Sequence, residues 1–337
     1  MPEMPEGFDV KQSHVVSQWK HERPLCVCRF DPAGRYVFSG AEDNTVQRFD
    51  LADGKLTVLQ NGHKTWVRAL AISHDSQFVM SGGCEGAISW WEVAAEQPTP
   101  IRTIDAHQGW IRKMEISPDG QLLASAGNDG FVRLWNVSDG TLVREIKAHE
   151  RDVYSLSFHP SGEFLLSGSL LGELFQWNVS SGEKMREFDA KALHSFNGGQ
   201  RVDFGGIRGL AISPDGQWVA AGGLHKATNP LGAVHEPIVL LFNWETGDLA
   251  KTQVDEAIKK GVFWRLAWLA DGSLMGTCGG GDGGYLLFFK TDAEKPYHKL
   301  KLPNTSRDMD LHPDGLQVCS AHYDRHLRIS RLAAKQT

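Results

Sequence analysis

Ile116 to Asn136 reads ISPDGQLLASAGNDGFVRLWN. Two apolar stretches, Leu122 to Ala126 and Phe131 to Trp135, are separated by Gly-Asn-Asp-Gly, and Ser-Pro-Asp-Gly stands just ahead of the first. Asp, Asn and Gly are the residues that tight reversals need, so the pattern predicts short antiparallel strands joined by tight turns. Working outward, a third apolar stretch runs from Trp110 to Ile116, and a fourth from Leu142 to Ile146 after another Ser-Asp-Gly. The unit therefore holds four strands. One such sheet cannot cover both of its faces, so it needs neighbours.

The neighbours are copies of itself. ISPDGQLLASAG recurs as FDPAGRYVFSGA at Phe30, ISHDSQFVMSGG at Ile72, FHPSGEFLLSGS at Phe158, ISPDGQWVAAGG at Ile212, WLADGSLMGTCG at Trp268 and LHPDGLQVCSAH at Leu311. Aligned on the turn position (Gly34, Ser76, Gly120, Gly162, Gly216, Gly272, Gly315), the seven copies are 42, 44, 42, 54, 56 and 43 residues apart. Seven four-stranded units packed side by side in a ring leave no long open edge. Repeat three also carries His107, Ser125, Asp129 and Trp135. This set resembles the WD-repeat family, and the likeness covers nearly the whole chain.

That resemblance implies an all-β, seven-bladed β-propeller, with His107, Ser125, Asp129 and Trp135 joined in a buried hydrogen-bond network that satisfies their polar groups. The other copies decay: repeat one has Phe49 for the Trp, repeat two Glu85 and repeat four Leu171 for the Asp. Near the His position, repeats five to seven have Asp203, Lys259 and Leu302. Only repeat three is expected to hold the full network. The last repeat ends near Leu332 without a fourth strand, and Val10 to Trp19 is otherwise unassigned, so it is expected to close the last blade.

The domain reading is a flexible N-terminus at 1–9 and one propeller at 10–337. The two long steps place long loops near 189–206, 224–237 and 250–261. Loops beyond the structural minimum carry function or are tolerated insertions. With 41% apolar and 23% charged residues and a net charge of -6, the 337-residue chain reads as an ordinary globular protein. Its mildly acidic balance argues against bulk binding to nucleic acid or an anionic membrane. No long apolar run or signal-like start is visible, so a cytoplasmic protein without a membrane span is expected. Cys26, Cys28, Cys84, Cys278 and Cys319 lack C-x-x-C spacing and read as reduced thiols. Asn136, Asn178 and Asn304 begin N-x-Ser/Thr matches, which carry no weight without a secretory route.

Several patterns invite catalytic readings. His107, Ser125 and Asp129 have the residue types of a hydrolase triad, but the trio recurs in decayed form, as a per-blade structural network does and a catalytic set does not. GGGDGG at Gly279–Gly284 matches a dinucleotide fingerprint literally, yet it joins two strands with no helix to follow and reads as a turn. His194, His225 and His235 lie in irregular segments with no ligand spacing, so no metal and no cofactor are expected.

The chain then offers a surface. Five residues past the repeat His, or its aligned equivalent, stand Cys26, Arg68, Arg112, Tyr154, Arg208, Trp264 and Arg307. Two residues earlier come Pro24, Trp66, Trp110, Asp152, Gly206, Val262 and Thr305. The family resemblance places this register at the start of each innermost strand, on the rim of the central channel. The expected partner-binding residues are Trp66, Arg68, Trp110, Arg112, Tyr154, Arg208, Trp264 and Arg307. Aromatic and Arg side chains dominate binding hot spots, and an Arg fork suits carboxylates. The expected function is a non-catalytic scaffold that recognises an acidic peptide or acidic protein surface. The competing readings are ion pairs with acids such as Glu42, Glu85 or Asp324, a propeller enzyme using Asp152, Asp203 or His225 on a small anionic substrate, and an RNA-associated scaffold.

Overall fold

The computed structural model describes residues 4–227 and 235–335. Seven four-stranded antiparallel sheets, with almost no helix, are the blades of a seven-bladed β-propeller. Blade three is Ile111–Ile116, Leu122–Gly127, Phe131–Asn136 and Leu142–Lys147 in that order, and blades one to six all follow this meander. Blade seven is different. Its three C-terminal strands, Ser306–Leu311, Gln317–His322 and His326–Arg331, take their outer strand from His14–Lys20. Trp19 pairs with Leu327 in that antiparallel register, so the N-terminal segment closes the last blade as its residues predicted.

The chain divides into two compact units, residues up to Gln12 with Tyr154–Ser306, and Ser13–Val153 with Arg307–Thr337. In the second, the inner faces of blades two and three bury Met80, Trp90, Ile111 and Leu123 together. In the first, Val239, Leu241, Phe263 and Phe289 from blades five and six form a core of the same kind. Each such large apolar side chain contributes about 1.5–3 kcal/mol when fully buried.

In blade three the buried polar side chains of the repeat are matched to one another. Trp135 donates its indole N–H to Ser125 Oγ at 2.8 Å, Ser125 Oγ lies 2.8 Å from His107 Nε2, and His107 Nδ1 lies 2.9 Å from Asp129. A carboxylate only accepts, so the Asp129 contact calls for a proton on Nδ1 and leaves Nε2 to accept from the serine, while Arg133 Nη1, also 2.9 Å from Nδ1, donates to the other Asp129 oxygen at 2.8 Å. The expectation that repeat three alone holds this network is corrected by blade two. There His63 Nδ1 meets Glu85 at 2.6 Å, His63 Nε2 meets Ser81 at 2.7 Å, and Trp91 donates to Ser81 at 2.8 Å. Glutamate has one methylene more but the same acceptor, and the turn absorbs the difference while Thr65 bonds its second oxygen. The hydroxyl of Ser125 is fully buried. Its triad-like partners therefore hold a turn in place where no substrate reaches.

Two of the long connections are more ordered than their composition suggests. Within 189–206, His194–Asn197 and Val202–Gly205 pair as an extra hairpin. Of 250–261, the part up to Val254 belongs to the outer strand of blade five, Leu249–Val254, where Gln253 is buried and its amide donates to Lys290 O at 2.8 Å and Ala293 O at 3.0 Å. The 224–237 segment lies partly outside the described residues, as does the start of 1–9. In the described part of the latter, Asp9 accepts hydrogen bonds from Lys11 N and Gln12 Nε2.

Candidate functional site

The arginines in the inner strands have a backbone reason for being there. Strand pairing skips one residue between Val67 and Ala69, and again between Ile111 and Lys113. The skipped residues are Arg68 and Arg112. The same irregularity falls between Leu25 and Val27 and between Phe263 and Arg265, leaving out Cys26 and Trp264. A bulge takes a residue out of the in–out alternation and re-aims its side chain. Four copies of the aligned register are thus bulged residues, which explains why a cation stands in a strand that is otherwise buried.

In the unit holding blades seven, one, two and three, Trp66 and Trp110 are 39% and 36% exposed, with ring centroids 6.4 Å apart. Both Arg68 and Arg112 stand over the Trp110 ring, at 5.4 and 4.4 Å. Arg112 donates to Asn128 at 2.7 Å and pairs with Asp152 at 3.3 Å. Arg307 pairs with Glu42 at 2.6 Å and lies over the exposed Tyr323 ring at 4.6 Å. Arg68 differs from both: among the described residues no acid pairs with it. Glu85 and Asp324, the other candidate counter-charges, are taken by His63 and Arg328. Burial opposes the charge on Glu85, but bonds from His63 and Thr65 outweigh it and hold the carboxyl below its usual range.

In the unit holding blades four to six, Arg208 lies over both Tyr154 (4.6 Å) and Trp264 (5.0 Å), and its Nε donates to Gly205 O at 3.2 Å. The buried indole N–H of Trp264 has no hydrogen-bond partner among the described residues. So each arginine of the aligned register stacks on at least one aromatic ring, and the structure groups the eight candidates as Trp66, Arg68, Trp110 and Arg112; Tyr154, Arg208 and Trp264; and Arg307. Asn128 and Tyr323 were missed. Each directly precedes the turn acid of its repeat, as Glu42 does, so aligning that position would have found them.

Of the three residues of the enzyme reading, two are engaged: Asp152 is Arg112's partner and Asp203 bonds His194 Nε2 at 2.9 Å. His225 Nε2 is buried without a hydrogen-bond partner among the described residues, 3.5 Å from Glu236, which holds Lys226 and Lys259. The hydrogen bonds from those two lysines lower the Glu236 carboxyl to about 2. Burial, then Lys226, depresses His225. Gly279–Gly284 spans the two-residue reversal between Leu274–Gly280 and Gly283–Phe289, and Asp282 accepts the backbone N–H groups of Lys259 and Lys260 rather than leaving a phosphate cradle. Among the described residues, no group of three or more His, Cys, Asp or Glu side chains is placed to hold a metal, and no helix is long and apolar enough to cross a membrane.

Residues 13–50, 54–92, 98–136, 140–178 and 191–226 match the family model described as WD domain, G-beta repeat. The first match begins with the outer strand of blade seven, so the sequence repeat and the blade are offset by one strand. An uncharacterised WD repeat-containing protein of Schizosaccharomyces pombe is 21% identical over 95 residues, 26% of each chain. The nuclear distribution protein nudF of Emericella nidulans is 28% identical over 80 residues, 23% of this chain and 18% of its own. The matched segment thus spans only about a quarter or less of these relatives.

Proposed function

The chain belongs to the WD-repeat family, whose propellers generally mediate protein–protein interactions, and on that premise we propose that it is a non-catalytic scaffold capturing an acidic peptide or acidic protein surface through its rim arginines and tryptophans. One observation carries the reading. Arg68 is held against the half-exposed Trp110 indole, beside Trp66, with no acid among the described residues to neutralise it. A guanidinium on an indole face has its planar fork held in one orientation, so a carboxylate that arrives finds a donor already in place. Arg112 and Arg307 each give up one acid contact to a competing ligand, an exchange that is cheap where pairs are partly solvated. The cysteines, all free thiols, fit the reducing cytoplasm.

The test is titration with a hexaglutamate peptide, followed by capture from extract, comparing the wild type with Arg68, Arg112, Arg208 and Arg307 all changed to Ala. Loss of both, with the melt unchanged, is the expected outcome. Retained binding sinks the rim reading. Binding of RNA instead, with a steep salt dependence, would move the function to the RNA-associated scaffold.

A further inference from the structure

The blade seams at the other end of the strands carry a second pattern. The third residue ahead of the turn glycine is His159 in blade four and His312 in blade seven. Each presses on the turn glycine of the following blade, so that a Cβ on Gly216 would lie 2.6 Å from His159 Nε2, and one on Gly34 would lie 2.6 Å from His312 Nε2. His159 also stacks on Trp244 with centroids 4.2 Å apart. These seams are filled by an imidazole.

Blade five has Ser213 at that place. Its hydroxyl is used locally, donating to Asp215 Oδ1 at 2.5 Å and accepting from Trp218 N at 2.9 Å. A notch of about 240 Å³ remains between blades five and six, lined by Trp218, Trp268, Asp215, Asp271 and Gly272. Its charge is unbalanced. Asp271 holds Lys290 at 2.6 Å, whereas the exposed Asp215 has one oxygen engaged by Ser213 and Gln217 and, among the described residues, no cation. The two indoles are partly buried against the core of blades five and six and, among the described residues, carry no cation. Trp90, Trp110, Trp244 and Trp264 each have an arginine over the ring, but among the described residues no Lys or Arg stands over Trp218 or Trp268.

We propose that this notch is a binding site for an arginine side chain presented by a partner chain. Two indoles offer stacking faces to a planar cation, and the second oxygen of Asp215 offers an acceptor for its fork. Lysine fits less well, because its compact, strongly hydrated ammonium neither stacks nor bonds in a plane. The site is independent of the rim. Arg208 directly precedes the inner strand Gly209–Ile212 and Ser213 directly follows it, so the two lie at opposite ends of one strand and take ligands of opposite charge.

The probe is acetyl-Gly-Arg-Gly-amide titrated into the full chain, read by the indole N–H resonances of Trp218 and Trp268, with citrulline and lysine counterparts as controls. Saturable shifts with the arginine peptide are expected, about tenfold weaker with neutral, isosteric citrulline. Asp215→Asn keeps the turn contacts on Oδ1 and should weaken binding about fivefold with the melt unchanged. Ser213→His should abolish it by filling the notch as His159 fills its own. No shift up to about 20 mM, in the weak range single side chains reach, overturns the proposal. So does citrulline or lysine binding as tightly as arginine, or indifference to Asp215→Asn.

Discussion

At the scale of single residues, most polar side chains inside the blades answer a demand of the backbone. Ser125 is the node that satisfies both Trp135 and His107. Ser125→Ala leaves both groups buried without a partner and should cost about 2 kcal/mol in a urea melt; a loss under about 0.5 kcal/mol would contradict the network's weight. The same site sets a pH dependence. Burial is the largest influence on His107 and holds its imidazole below the usual 6.5, against the pull of Asp129. The unfolded chain then binds a proton that the folded one refuses, so this stability is whole above 6.5 and drains away as pH falls below it. Asp129, kept low by His107 and Arg133 despite its burial, adds a further loss below its usual 3.8. Melting temperature should therefore fall between pH 7.5 and 5, less steeply in His107→Gln, and a flat wild-type profile would refute this. The His-Ser-Asp-Trp set was legible because its spacing repeats. That Glu85 serves as well as Asp129 was not, since a letter mismatch hides an unchanged acceptor.

At the scale of strands and seams, the N-terminal strand His14–Lys20 is held by main-chain pairing and by Trp19 packing on Phe49, ring centroids 5.4 Å apart. Deleting residues 1–20 uncovers the His326–Arg331 edge and that core at once, so it should lower the melting temperature sharply; an unchanged melt would rule the latch out. The strand was predictable, because a four-strand repeat ending one strand short must borrow from the other terminus. The arginine staples across seams were missed. Arg48 donates to Val93 O and Ala95 O, Arg102 to Ser138 O, and Arg186 to Trp244 O and Glu245 O. Arg102, Arg144 and Arg186 recur every 42 residues on outer strands, where an exposed basic residue looks like ordinary solubility. Arg186→Met keeps the stem over Phe188 and Trp244 but removes the donors, and should cost about 1–2 kcal/mol in the same melt.

At the scale of the whole molecule, a shared rim makes a stronger claim than any one arginine. Arg68→Ala and Arg307→Ala, in different blades of one compact unit, should each weaken capture of the same acidic peptide, and sensitivity to only one of them would mean that the register is not a common surface. The number of blades, the order of strands, the borrowed N-terminal strand and the register of the arginines were legible in the chain of residues, because turn chemistry and hydrophobic alternation act within a few residues and repeat visibly. Which of the arginines meets an acid among the described residues was settled by tertiary packing. Arg307 meets Glu42 from 265 residues away and Arg112 meets Asp152 from 40, whereas Arg68 finds an indole. The notch lined by Gly272 was decided in the same way, by which side chains of blade five face the next blade's turn. Both outcomes depend on side chains from neighbouring blades meeting across a seam, and an alignment within one repeat does not contain that meeting.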